Sequence, residues 1–84
     1  MDWVIQFKHS ALKSLRKIAA KDRERILAKI ITFKEDPRPL GSLKLINQEA
    51  YRIRQGDYRI IYTVEDNILL IEVIRIGHRR DVYG

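Results

Sequence analysis

The chain has 84 residues, no cysteine, two histidines and a formal net charge of +6, from 17 lysines and arginines against 11 acids. That length allows one domain, residues 1–84, whose small core buries roughly 60 to 65% of the surface an unfolded chain exposes. The composition excludes disulfides, thiolate metal sites and a cysteine nucleophile, and two histidines make no zinc site without carboxylates. No apolar run approaches the roughly 18 residues of a membrane span, and no leader-like segment follows Met1, so a soluble, cytoplasmic protein without metal or cofactor is expected.

Trp3 to Phe7 is short and β-prone, and the polar break at Lys8, His9 and Ser10 predicts an opening strand with Ser10 as the N-cap of a helix. Leu12, Leu15, Ile18 and Ala19 recur at helical spacing opposite lysines and Arg16, which predicts an amphipathic helix. A second helix is expected from about Asp22 to Glu35, with Ile26, Leu27, Ile30, Ile31 and Phe33 or Lys34 along its buried stripe. Only Lys21 and its neighbours separate the two, so an antiparallel helical hairpin is expected. Both prolines of Asp36–Ser42 forbid further helix and mark a loop.

Three β-rich runs follow, roughly Ala50–Gln55, Tyr58–Glu65 and Ile68–Ile76, separated by Gly56-Asp57 and Asp66-Asn67, both of which suit two-residue hairpin turns. The fold class is therefore α+β, in the order β-α-α-β-β-β. One mainly antiparallel sheet is covered on one face by the helical hairpin, and its other face is open.

Six of the ten arginines fall in Tyr51–Tyr62 and Arg75–Gly84, whereas all seven lysines lie at or before Lys44. Arginine keeps its charge and offers phosphate a planar, bidentate fork. With Gly56 and Asp57 as the turn, Arg54 pairs with Arg59, Ile53 with Ile60 and Tyr51 with Tyr62. Arg52, Arg54 and Arg59 then share the open face. Opposed like charges cost some tenths of a kcal/mol, which a bound polyanion or a nearby carboxylate relieves. The Asp66-Asn67 turn puts Leu69, Ile71 and Val73 under the helices and Glu72 and Ile74 beside the arginines. Two readings follow: a solvated face held by a Glu72–Arg59 ion pair, or an anion-binding face.

Gly77 breaks the last strand, and His78, Arg79, Arg80, Asp81, Val82 and Tyr83 follow at the edge of the arginine face. A tyrosine among cations can exchange a proton because positive charge lowers its pKa, and His78 alone here has an ordinary pKa near neutrality. The simpler alternatives are a loop histidine and a terminal aromatic that packs on the last strand.

The order of elements, the YRIRQGDYRIIY hairpin and the RIGHRRDVY ending resemble the RelE branch of the RelE/ParE toxin superfamily over essentially the whole chain. These are the small toxins of bacterial and archaeal toxin–antitoxin pairs. The resemblance implies a fold similar to compact microbial ribonucleases and a ribosome-dependent endoribonuclease that cleaves mRNA in the A site and so inhibits translation. It also implies catalytic positions at Arg52 and Arg54, at Arg59 in the next strand, at Arg79 after the last strand, and at the terminal Tyr83. Arg75, Arg80 and Lys44 become candidates for RNA binding.

In the best-known pattern the positions of Arg52 and Arg54 are lysines, and arginine cannot exchange a proton. Attack of a ribose 2′-hydroxyl on its phosphate needs a base, cations for the phosphorane charge and an acid for the leaving 5′-oxygen. Here the proton transfers would fall to Tyr83 first, or to His78, Glu72 or Glu49. The resemblance further implies a RelB-like, acid-rich antitoxin bound in a hetero-oligomer, with the ribosome and mRNA as targets. Two alternatives remain within it: a ParE-like toxin that poisons DNA gyrase, and a catalytically inactive homologue that only binds its antitoxin.

Overall fold

Exposure alternates along Val4–Phe7, the first strand β1: Ile5 and Phe7 pack on the core, while Val4 and Gln6 face out. The computed structural model describes residues 2–80. Lys8 donates its N–H to the carbonyl of Val73 at 2.9 Å and turns the chain directly into helix α1, His9–Arg16. Lys8 is thus the N-cap, and Ser10 lies inside the first turn. The residue-type preference for serine lost to the last hydrogen bond of the strand, which fixes where the chain must turn.

Ala11 and Leu15 are the buried residues of α1, while Ala19 is exposed in the connector. Helix α2 spans Ala20–Thr32 and then tightens over Phe33–Glu35 into i→i−3 bonds. Its buried stripe runs through Ile26, Ile30 and Phe33, leaving Ile31 62% exposed. A spacing of four and then three residues keeps one face, and Ile31 is rotated about 100° from Ile30. The two helices approach the sheet more than each other: α1 lies chiefly on the strand Leu70–His78 and α2 on the strand Tyr51–Gln55, a looser pair than the short connector implied.

The sheet has five strands rather than four, because Leu43–Lys44 forms a two-residue strand, β2. It pairs antiparallel with β3, Tyr51–Gln55, and Leu45 N–H closes the turn onto the carbonyl of Ala50 at 2.9 Å. A strand this short leaves no alternating pattern to read. β4 is Tyr58–Glu65 and β5 is Leu70–His78; the order is β1-β5-β4-β3-β2, with only β1 and β5 parallel.

The β3–β4 register is the expected one: Gln55 opposes Tyr58, Arg54 opposes Arg59 and Tyr51 opposes Tyr62. Gly56 at φ 61° takes the left-handed conformation that the turn demands. The β4–β5 connection differs. Asp66–Ile68 is a 3-10 turn followed by Leu69 at φ 52°, and Glu65 pairs with Leu70. A two-residue turn would have paired Glu65 with Ile68, so the slip is two residues, and a shift of two preserves faces. Ile71 and Val73 therefore still point into the core, each 0% exposed, while Leu69 belongs to the turn.

A β-bulge interrupts β5. Tyr62 opposes Val73 but Ile61 opposes Arg75, which leaves Ile74 as the extra residue. Beyond it Ile76 faces the core, 2% exposed, and Gly77 lies across from Arg59.

At the far end of the sheet the Asp36–Ser42 loop is clasped. Arg38 donates to both carboxylate oxygens of Asp66, at 3.2 and 2.6 Å, and through Nε to Tyr51 Oη at 2.9 Å. Tyr62 Oη donates to the carbonyl of Pro37 at 2.9 Å, and its ring stacks 4.3 Å from Phe33.

Candidate active site

β3 carries Arg52 and Arg54 on the face away from the helices, with Arg52 half-buried and Arg54 exposed. β4 brings Arg59 directly opposite Arg54, and paired residues in such a ladder have Cα atoms about 4.5 to 5.5 Å apart. Across on β5 sits Gly77, which offers no side chain, and Arg59 is only 9% exposed. Its Nε is buried without an acceptor, while the residue makes other interactions. Arg79 follows β5, and its N–H donates to the carbonyl of Asp57 at 2.8 Å. That bond fastens the start of the tail to the hairpin turn, so Arg54, Arg59 and Arg79 converge at one end of the open face.

This convergence depends on two residues that sequence reasoning did not select. The carbonyl of Asp57 anchors Arg79, and Gly77 is the small residue across from Arg59. A glycine inside a strand pattern is itself a signal of close approach. Arg52 joins the group from two residues along β3, opposite Ile61. Arg75 also opposes Ile61 on the open face and is exposed, and Arg80 is exposed in the turn after β5.

Other expected members lie elsewhere. Glu72 pairs with Thr63, four residues along β4 from Arg59, or roughly 13 Å away. The two-residue slip at the β4–β5 turn carries it out of reach, so the expected Glu72–Arg59 ion pair is not formed. His78 opposes Tyr58, with the rings edge-on at 5.6 Å, and alternates with Gly77 so as to share the helix side with Ile76. Its Nδ1 accepts the N–H of Arg80 at 3.2 Å. His78 therefore does not face the arginines. Lys44 opposes Tyr51 on the helix side and reaches Glu49 at 3.7 Å, which removes both from the arginine face. Leu43, opposite Arg52, occupies that place instead. Tyr83 lies outside the described residues.

Neither Arg52 nor Arg54 has a carboxylate partner among the described residues. Several guanidinium groups on a water-exposed face suit a tetrahedral or trigonal-bipyramidal phosphate, whose spread negative charge accepts several forked donors at once. They can stabilise charge that develops on phosphate oxygens, but they cannot take or give a proton at neutral pH.

A family model described as the ParE toxin of type II toxin-antitoxin system, parDE, matches residues 5–83. The chain is 31% identical over 88 residues to the mRNA interferase toxin RelE of Escherichia coli (strain K12), covering 100% of this chain and 93% of that protein. It is 28% identical over 91 residues to Toxin RelG of Mycobacterium tuberculosis, covering 99% of this chain and 98% of that protein. Among solved structures it is similar to the toxin in the crystal structure of the intact E. coli RelBE toxin-antitoxin complex. There the TM-score is 0.80 at 30% identity, over 90% of this chain and 95% of that one.

Proposed function

Because the chain belongs to the RelE/ParE superfamily of type II toxin–antitoxin toxins, we propose that it is a ribosome-dependent mRNA endoribonuclease that inhibits translation in the cytoplasm. The observation that carries this reading is the convergence of Arg54, Arg59 and Arg79 on an open sheet face, with Arg52 beside them. The family model bears the ParE name. Two relatives matched along the whole chain are named mRNA interferases, however, so gyrase inhibition is not favoured.

In the reaction the 2′-oxygen bonds to phosphorus while the bond from phosphorus to the 5′-oxygen breaks, leaving a 2′,3′-cyclic phosphate and a 5′-hydroxyl. The arginines hold the phosphate and offset the charge of the phosphorane. One proton leaves the 2′-hydroxyl and one reaches the 5′-oxygen, and arginine supplies neither transfer. Glu72 lies roughly 13 Å along the same face, and His78 and Glu49 lie off it; Tyr83, the position the family resemblance implies, is the group assigned to proton exchange. A RelB-like antitoxin, as in the similar complexes, is the assigned partner.

Primer extension on mRNA after controlled expression tests the assignment. The native chain produces discrete cleavages within translated reading frames, whereas Arg79→Ala and Tyr83→Phe do not. Full cleavage by Arg79→Ala overturns the assignment of the arginine site. Intact mRNA together with blocked supercoiling restores the gyrase reading.

A further inference from the structure

Two residues beyond Arg59 along β4 the open face changes character. Leu43, Arg52, Ile61 and Arg75 form a row across the sheet from β2 to β5, each opposing the next. Leu43 is 55% exposed, while Arg52 and Ile61 are half-buried. One step further Thr63 opposes Glu72, which in turn opposes Gln6 on β1. Three rows, spaced by about 7 Å, therefore follow one another from the hairpin turn. The first holds the opposed arginines Arg54 and Arg59, the second a guanidinium between aliphatic side chains, and the third a hydroxyl facing a carboxylate.

Glu72 is half-buried on this face, yet it joins no ion pair among the described residues. Polar groups withdrawn from water ordinarily have a partner. A carboxylate here also repels phosphates, which weakens general attraction for RNA. Such a group gains its use in discrimination, where specificity comes from rejecting the wrong ligand as well as holding the right one.

We propose that the second and third rows are a base-reading subsite, in which Glu72 selects guanine in the nucleotide next to the phosphate held by Arg54 and Arg59. The proposal rests on the ribonuclease reading for RNA as the ligand. The base lies over the second row, its plane against the Arg52 guanidinium and the side chains of Leu43 and Ile61, since unstacked RNA bases are held on such planes and read along their Watson–Crick edges. That edge then meets Glu72, which as a carboxylate only accepts hydrogen bonds. Guanine alone among the four bases sets two donors, N1–H and the exocyclic amine, side by side there, so that both oxygens of Glu72 are used. Adenine and cytosine each bring a ring-nitrogen acceptor to the same place, and uracil brings two carbonyls. The Thr63 hydroxyl, across the ladder from Glu72, can donate to the adjoining O6 of guanine.

The test measures binding of the full chain to uridine pentanucleotides whose central base is guanine, adenine, cytosine or uracil, with 2′-O-methyl groups so that no cleavage intervenes. The native chain is expected to favour guanine by about 5- to 150-fold, the worth of one bidentate base contact. Glu72→Gln offers one acceptor and one donor and is expected to transfer the preference to adenine, whereas Glu72→Ala is expected to abolish it. Arg54→Ala should weaken all four alike. Equal binding of the four, a guanine preference that survives Glu72→Ala, or no binding overturns the proposal, whatever happens to mRNA in cells. A guanine preference that depends on Glu72 beside intact cellular mRNA supports the subsite and overturns the ribonuclease reading alone.

Discussion

At one end of the central hairpin Arg38 lays its guanidinium along Asp66 and across the Tyr51 hydroxyl, while at the other Arg54 and Arg59 face each other on the open sheet. The same side chain has a structural task in the first place and, under the proposed function, a chemical one in the second. At the clasped end its donors are matched by oxygens within the chain, and the loop before β2 is held down. At the turn end like charges are opposed, which costs stability, and Arg52 and Arg54 have no carboxylate partner among the described residues. Under the proposed function that is the end which receives the phosphate, whereas the clasped end serves stability.

Predicted variants probe that division, in descending order of effect. Phe33→Ala empties the centre of the core beneath both ends and is expected to cost about 3–5 kcal/mol, lowering the unfolding midpoint and cleavage together. If denaturation shows a stable protein, the two ends do not share one core. Arg79→Ala should reduce mRNA cleavage by roughly 10²- to 10³-fold, the loss seen when one preorganised transition-state donor is removed. Its thermal midpoint should hold, because the side chain is exposed and its backbone bond to Asp57 is retained.

Tyr62→Phe removes the hydrogen bond to Pro37 and should cost about 1 kcal/mol, with cleavage unchanged well below the midpoint. Arg38→Ala should cost less again, since the pair is exposed. Its signature is in pH. The hydrogen bond from Arg38 holds the Asp66 carboxyl below its ordinary value. Its stabilisation is complete above about pH 4 and is lost as pH falls through the lowered value. A melting series should show that acid-side loss in the native chain and its absence in Arg38→Ala.

The pairing of Arg54 with Arg59 was legible because a Gly-Asp turn and period-two alternation fix a hairpin register without outside help. The helix cores at Leu15, Ile26 and Ile30 were legible for the same reason, a local period. What escaped depended on distant parts of the chain. The positions of Glu72 and His78 rest on the four-residue Asp66–Leu69 connection and on the Ile74 bulge, neither of which has a sequence period. β2 is too short to carry one, and the Arg38–Asp66 clasp joins residues 28 apart. Acid-base roles for His78 and Glu72 followed from residue type, whereas the face of His78 and the distance of Glu72 along the sheet were decided by tertiary register.

The bulge at Ile74 also makes β5 a strand with two reading frames. Before it odd-numbered residues face the helices, and after it even-numbered ones do, so the frame in which Ile76 is apolar and Gly77 is small exists only because one residue goes uncounted. Deleting Ile74 would leave Val73 opposite Tyr62 and Arg75 opposite Ile61 as neighbours, so Ile76 would still face the core, Gly77 would still lie against Arg59 and Arg79 would stay in step with Asp57. Removing a second residue from the same strand would exchange the faces of everything beyond it. One deletion at the bulge should therefore be tolerated and a further one should not.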